Sequence, residues 1–255
     1  MSFPENATFL SRNLKLAAHL YHPTPNSPNR SGAAVIICHP WTSIKERPRP
    51  TRQDIKCAVT YLISRKDVNS DKIGVLGICA SGGYAPFAAQ TDRRIKAVAT
   101  SAAVCVGTMA RRGFDQDSSI MDILQTQLEA AGKDRNSDVG GEKVSIFPES
   151  FRDLMMYYRT PRAHHPRATN ACLPRSWDIM ANFDAFAHNY LISPRPLLMI
   201  TGPKAATMWY SEEGVQNARD PKELFVVDGL THADLYDQVD EAGAKLAEFF
   251  GKSLA

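Results

Sequence analysis

At 255 residues the chain can bury one sizeable core, and its 44% hydrophobic and 22% charged content is that of an ordinary globular protein. A net charge of +3 is too small to argue for nucleic acid or an anionic membrane surface. No apolar run approaches the roughly 20 residues of a membrane span, and Met1 to Asn6 shows no basic-then-apolar leader, so the expectation is an intracellular protein, not a secreted one. Five scattered cysteines (Cys38, Cys57, Cys79, Cys105, Cys172) without a CxxC pair predict reduced thiols, with no disulfide framework and no metal.

Along the chain, Thr8–Leu10 and Leu14–Tyr21 flank a polar turn and read as a β-hairpin. The run Ala33–Cys38 is continuously apolar, as in a strand buried on both faces of a parallel sheet, and ends at His39-Pro40-Trp41-Thr42. Ile55, Val59, Leu62 and Ile63 form a helical stripe within Thr51–Arg65. Ile73–Leu76 predicts a strand, followed by a turn and a helix from about Gly82 to Gln90, and Lys96–Ser101 is the next strand. From about 107 to 192 the pattern changes to helices near Ser119–Ala131 and Glu149–Tyr158, a polar loop, and a basic Pro-containing segment, Arg159–Arg175. Such an insertion between sheet strands is where lids over active sites occur. Leu197–Ile200 and Leu224–Val227 are further strands, and a helix over Asp234–Phe250 closes the chain. Strands alternating with helices predict one α/β domain over 1–255, its mostly parallel sheet covered on both faces.

The stretch Gly77-Ile78-Cys79-Ala80-Ser81-Gly82-Gly83 carries the chemistry. An apolar strand stops at a glycine, a nucleophilic side chain follows two residues later, and small residues lead into a helix, which is the layout of a nucleophile elbow. Cys79 at the tip would sit at a helix N-terminus, where the dipole favours a thiolate. The plainer alternative is a small hydrophobe ending a core strand, and a second frame makes Ser81 the nucleophile. The N–H of Ala80 points where an oxyanion forms, with a second donor expected around Trp41 and Thr42. His232, after the last strand and a Gly-containing loop, stands where the base belongs in the order nucleophile, acid, His. The acid stays unassigned. The loop after Leu197–Ile200 has no carboxylate until Glu212, and Asp184 lies before that strand, so these two are the candidates. No cofactor is called for. Arg159, Arg162, His164, His165 and Arg167 could meet a CoA or phosphopantetheine phosphate, although charge runs are more often solvated faces. Tyr157, Tyr158, Trp177 and Met109 could line an acyl pocket or simply fill a lid core.

Four segments together bear a family resemblance: His39–Thr42, Gly77–Tyr84, Asp92–Thr100 and Ser193–Ile200. The chain resembles the dienelactone hydrolase-like α/β-hydrolases of the fungal polyketide transferase group, including abhydrolase-domain proteins of host-selective toxin clusters. The resemblance implies an α/β-hydrolase fold with Cys79 as nucleophile and His232 as base. The reaction would be acyl transfer or hydrolysis on a small polyketide ester or thioester, carrier- or CoA-linked, in a cytoplasmic or peroxisomal setting. One departure stands out. The family pattern places a helix and a sheet strand between His39–Thr42 and the helix that begins here near Thr51, so roughly 35–40 residues are missing. That leaves Ala33–Cys38 with an unpaired edge or paired directly with the hairpin, and raises the alternative of a catalytically impaired paralogue.

Overall fold

The structure, a computed structural model, describes residues 4–41, 52–114, 116, 120–136, 144–145, 152–166, 168 and 170–255. The chain opens with an antiparallel hairpin of β1 (Glu5–Ser11) and β2 (Leu14–Leu20), Ser11 facing Leu14 across the turn. Next come β3 (Ala34–Cys38), α1 (Arg52–Ile63), β4 (Ile73–Ile78), α2 (Ser81–Thr91) and β5 (Ala97–Ser101). The insertion holds α3 (Val106–Arg112), α4 (Ile120–Arg135), β6 (Val144–Ser145), α5 (Arg152–Arg159), β7 (Ala171–Cys172) and α6 (Ser176–Ala181). The chain ends with β8 (Leu197–Thr201), α7 (Met208–Gln216), β9 (Lys222–Val226), α8 (Asp234–Asp237) and α9 (Asp240–Ser253).

The main sheet is parallel throughout, in the order β3-β4-β5-β8-β9. Alternate residues serve opposite faces because successive strand side chains point opposite ways. Val75, Val98, Leu197 and Met199 join the core shared with α1, α2 and α7, whereas Leu76, Ala99, Leu198 and Ile200 join the smaller core under α9. Both faces of the inner strands are therefore dry, which explains the unbroken apolar runs in the sequence. Arg195, just before β8, is buried and donates to the carbonyls of Ala89, Asp92 and Ile95 at 2.7, 3.0 and 2.8 Å. It thereby ties the end of α2 and the approach to β5 to β8.

Several boundaries differ from expectation. The closing helix is two helices, α8 and α9, because Gln238 leaves helical geometry. The lid helix expected from Ser119 runs to Arg135 and takes in part of the presumed polar loop. The helix α7 was not anticipated, its segment having been read only for a carboxylate. At the shortened connection, no strand among the described residues pairs with the outer edge of β3, and Ile37 there is 66% exposed. Beside it, on the α9 side of the sheet, lies a cavity of about 590 Å³. Ile37, Leu76, Ile78, Leu235, Val239 and Leu246 line it, with Tyr157, Tyr158 and Tyr236 at its lid end. No helix among the described residues is long and apolar enough to cross a membrane.

Candidate active site

The strand-to-helix turn places Cys79 at φ 56°, a left-handed conformation that a side-chain-bearing residue adopts only when the surroundings impose it. Gly77 is what lets the turn close. A Cβ on it would lie 2.0 Å from the Ser81 carbonyl oxygen, so any side chain there forces the helix start off the strand. Backbone bonds lock the tip further. Cys79 N–H donates to the Ser101 carbonyl at 3.0 Å, and the Cys79 carbonyl accepts from Gly82 and Val104 at 2.8 and 2.9 Å. Ser81 does not share this geometry. It begins α2, is buried, and donates its hydroxyl to the His39 carbonyl at 2.6 Å, so its role is to bind the end of β3 to the elbow.

That bond brings the loop after β3 over Cys79. The sulfur accepts hydrogen bonds from the backbone N–H groups of Trp41 and Ala80 and shares a third with the Tyr236 hydroxyl. Two N–H donors converging on one side-chain atom at a strand-to-helix turn are the kind of arrangement from which an oxyanion hole is built. Thr42, the other expected donor, lies outside the described residues. Burial outweighs these three bonds and raises the Cys79 pKa, so the resting group is a thiol. This reverses the expectation that the helix terminus would favour a thiolate, because a residue only 6% exposed loses more by desolvation than its hydrogen bonds return.

His232 reaches the site from the loop after β9, which packs backbone to backbone on the loop after β8. Gly202 permits the approach, since a Cβ there would lie 2.2 Å from the Leu230 carbonyl oxygen. His232 is 1% exposed, and burial drives its pKa down to about 3, so the ring is neutral. Its Nδ1 lies 2.6 Å from Thr207 Oγ1 and its Nε2 lies 2.6 Å from the Tyr236 hydroxyl. Cys79 and His232 are thus brought together through Tyr236.

Thr207 occupies the place where a carboxylate was sought, in the loop after β8 at the start of α7. Asp184 instead accepts from the N–H groups of Phe186 and Ala187, both at 3.1 Å, and faces Arg111 at 3.8 Å. Glu212 is exposed on α7. Among the described residues no carboxylate hydrogen-bonds the His232 ring. The carboxylates close by hold the His232 loop rather than its ring. Asp153 of α5 accepts from Ala233 N–H at 2.9 Å, and Asp234 accepts from Thr231 N–H at 3.1 Å. Neither Thr207 nor Tyr236 was anticipated, although Tyr236 stands four residues after His232, one helical turn on.

The lid seals this end. Arg162 donates to Asp237 at 2.7 and 2.8 Å and to Asp234 at 2.8 Å, and its guanidinium lies 5.2 Å from the Tyr157 ring. Its charge is spent on this clamp, which argues against a phosphate at Arg162. Tyr157 packs edge-on against Tyr236 at 5.1 Å and Tyr158 lies 6.4 Å from it. Tyr157, Tyr158, His164 and His165 line the cavity, whereas Trp177 and Met109 belong to the packed core. Arg159 ends α5 and Arg167 lies outside the described residues. No group of three or more His, Cys, Asp or Glu that could hold a metal ion occurs among the described residues.

No family model matches the chain. It is 28% identical over 292 residues to the uncharacterized protein YcjY of Escherichia coli K12, covering 94% of this chain and 95% of that one. Since 94% of 255 residues is about 240, about 50 aligned positions of YcjY have no counterpart here. It is 33% identical over 223 residues to the uncharacterized protein PA2218 of Pseudomonas aeruginosa, taking in 81% of this chain but only 59% of the relative. The crystal structure of PA2218 superposes with a TM-score of 0.86 at 28% identity, covering 98% of this chain and 93% of that one. The α/β hydrolase GrgF from Penicillium superposes with a TM-score of 0.80 at 18% identity, over 98% and 99% of the two chains. The fold is that of the α/β hydrolases.

Proposed function

We propose that the chain is a Cys79-dependent acyl hydrolase or acyltransferase acting on a small ester or thioester, with His232 as its base. The supporting observation is the convergence of the Trp41 and Ala80 N–H groups on a cysteine held at positive φ, with a neutral imidazole one hydroxyl away. A thiol needs less help than an alcohol to become a nucleophile, so a base without a carboxylate partner still serves it. In the reaction the sulfur bonds to the acyl carbon and the carbonyl oxygen takes up the charge between the two N–H groups. The departing thiolate or alkoxide is protonated by the imidazolium. Water or an alcohol then attacks the acyl-cysteine, with His232 again accepting the proton.

The cavity beside Tyr236 is mostly apolar and suits an aliphatic or polyene acyl chain, although Tyr236, and neither Cys79 nor His232, is its link to the site. A polyketide acyl group in secondary-metabolite or toxin biosynthesis is the finer reading, and it rests on the motif resemblance; the relatives YcjY and PA2218 are both bacterial. A competing reading, an impaired paralogue, draws on the missing strand and the absence of a carboxylate at the His232 ring among the described residues. Incubation with a short activated acyl thioester, followed by intact-mass measurement, separates the two. An acyl adduct that disappears in Cys79→Ser supports the enzyme; no adduct, or one that survives Cys79→Ala, overturns the assignment.

A further inference from the structure

We infer that Tyr236 is a catalytic residue that carries the proton between the Cys79 thiol and His232 Nε2. This rests on the reading of Cys79 as the nucleophile. The phenol oxygen lies 2.6 Å from Nε2 and hydrogen-bonds the Cys79 sulfur, so the hydroxyl stands between the acid and the base that must exchange a proton. Its position is built. Tyr236 sits on α8, whose Asp234 and Asp237 are clamped by Arg162, and Tyr157 and Tyr158 pack against its ring.

The proton inventory fits a relay. A neutral imidazole has one N–H, and when Nδ1–H donates to Thr207 Oγ1, Nε2 is left as an acceptor for the phenol O–H. The phenol oxygen, which the Tyr158 hydroxyl also meets, keeps a lone pair with which to accept from the thiol. Burial raises the Tyr236 pKa, so the phenol keeps its proton at rest. As the sulfur bonds to the acyl carbon, the S–H proton passes to the phenol oxygen while the phenol proton passes to Nε2. Tyr236 ends as it began, and the products are an acyl-cysteine and an imidazolium, which then protonates the leaving group. Every proton is accounted for with no reactant beyond the acyl donor. The arrangement also suits a ring that meets no carboxylate among the described residues, because the imidazolium forms only when a leaving group is ready to discharge it.

The test compares wild type, Tyr236→Phe, His232→Gln and the double variant. In single-turnover acylation by a short thioester at neutral pH, Tyr236→Phe is expected to slow adduct formation about 10²-fold. The deficit is expected to shrink above the thiol pKa, where direct ionisation bypasses the relay. Alkylation of Cys79 by iodoacetamide at neutral pH gives a second reading that needs no turnover. There the two single variants are expected to slow the reaction alike and the double variant no further, since they interrupt one path. A Tyr236→Phe protein that acylates or alkylates at the wild-type rate or faster overturns the relay and makes Tyr236 a plug. If wild type forms no acyl adduct, the enzyme reading fails by itself, and the alkylation comparison still decides whether Tyr236 links the thiol to the imidazole.

Discussion

Lowering the pH from neutral to about 4 is expected to destabilise this protein, and His232 sets a definable part of the loss. In the folded chain burial holds its pKa at about 3, whereas the exposed ring of the unfolded chain titrates near its ordinary value of about 6.5. Between those values the unfolded state carries one more proton than the folded state, so stability rises with pH across the window and falls as acid is added. One proton corresponds to about 1.4 kcal/mol per pH unit, and the drop from about 6.5 to about 4 therefore costs about 3 kcal/mol. That is a large fraction of the roughly 5–15 kcal/mol that holds a typical domain together. Asp92, Asp178, Asp234 and Asp237, whose pKa values are lowered by arginine partners or local hydrogen bonds, add their own losses at still lower pH. They do so equally in a His232→Gln variant. Urea titrations followed by tryptophan fluorescence, repeated in half-unit steps, isolate the histidine as the difference in slope between the two proteins. Parallel curves between about pH 6.5 and 4 would show that His232 is not held neutral by burial, and the resting state drawn for the site would fall with it.

Two structural predictions can be read from expression and melting. Gly77→Ala sets a Cβ against the Ser81 carbonyl oxygen, a backbone atom that cannot step aside, and is expected to leave no folded protein in the soluble fraction; a variant that folds and reacts at Cys79 would refute the elbow geometry. Arg195→Met strands the three carbonyls of Ala89, Asp92 and Ile95, at a cost of at least about 3 kcal/mol and about 10 °C in Tm, whereas a shift below about 3 °C by calorimetry would mean that water replaces the guanidinium.

The parts of the site that were legible are those whose demands are local. Gly77 and Cys79 stand in a turn whose sterics involve only neighbouring residues, so the pattern of glycine, nucleophile and small residues is visible in the string. His232 was legible through chain order, because a parallel sheet delivers the loop after its last strand to the same end as the elbow. The β3 edge was legible too, since a connection too short for a helix and a strand shows in the residue count.

Thr207 and Tyr236 were hidden for a different reason. A search for a carboxylate passes over a threonine, and nothing in the segment Thr201–Trp209 signals that a hydroxyl meets His232. The thiolate expectation failed in the same way, since a dipole can be read from one helix but desolvation depends on everything packed above it. The sequence by itself determined the fold, the turn that carries Cys79, and the delivery of His232 to the same end of the sheet, because backbone sterics and strand order act over short stretches or along the whole chain in sequence. Only the tertiary structure decided that a tyrosine stands between them and a threonine behind them. Those contacts depend on how the α8 turn, the lid and two loops settle against one another, and that is fixed by packing between segments far apart in the chain.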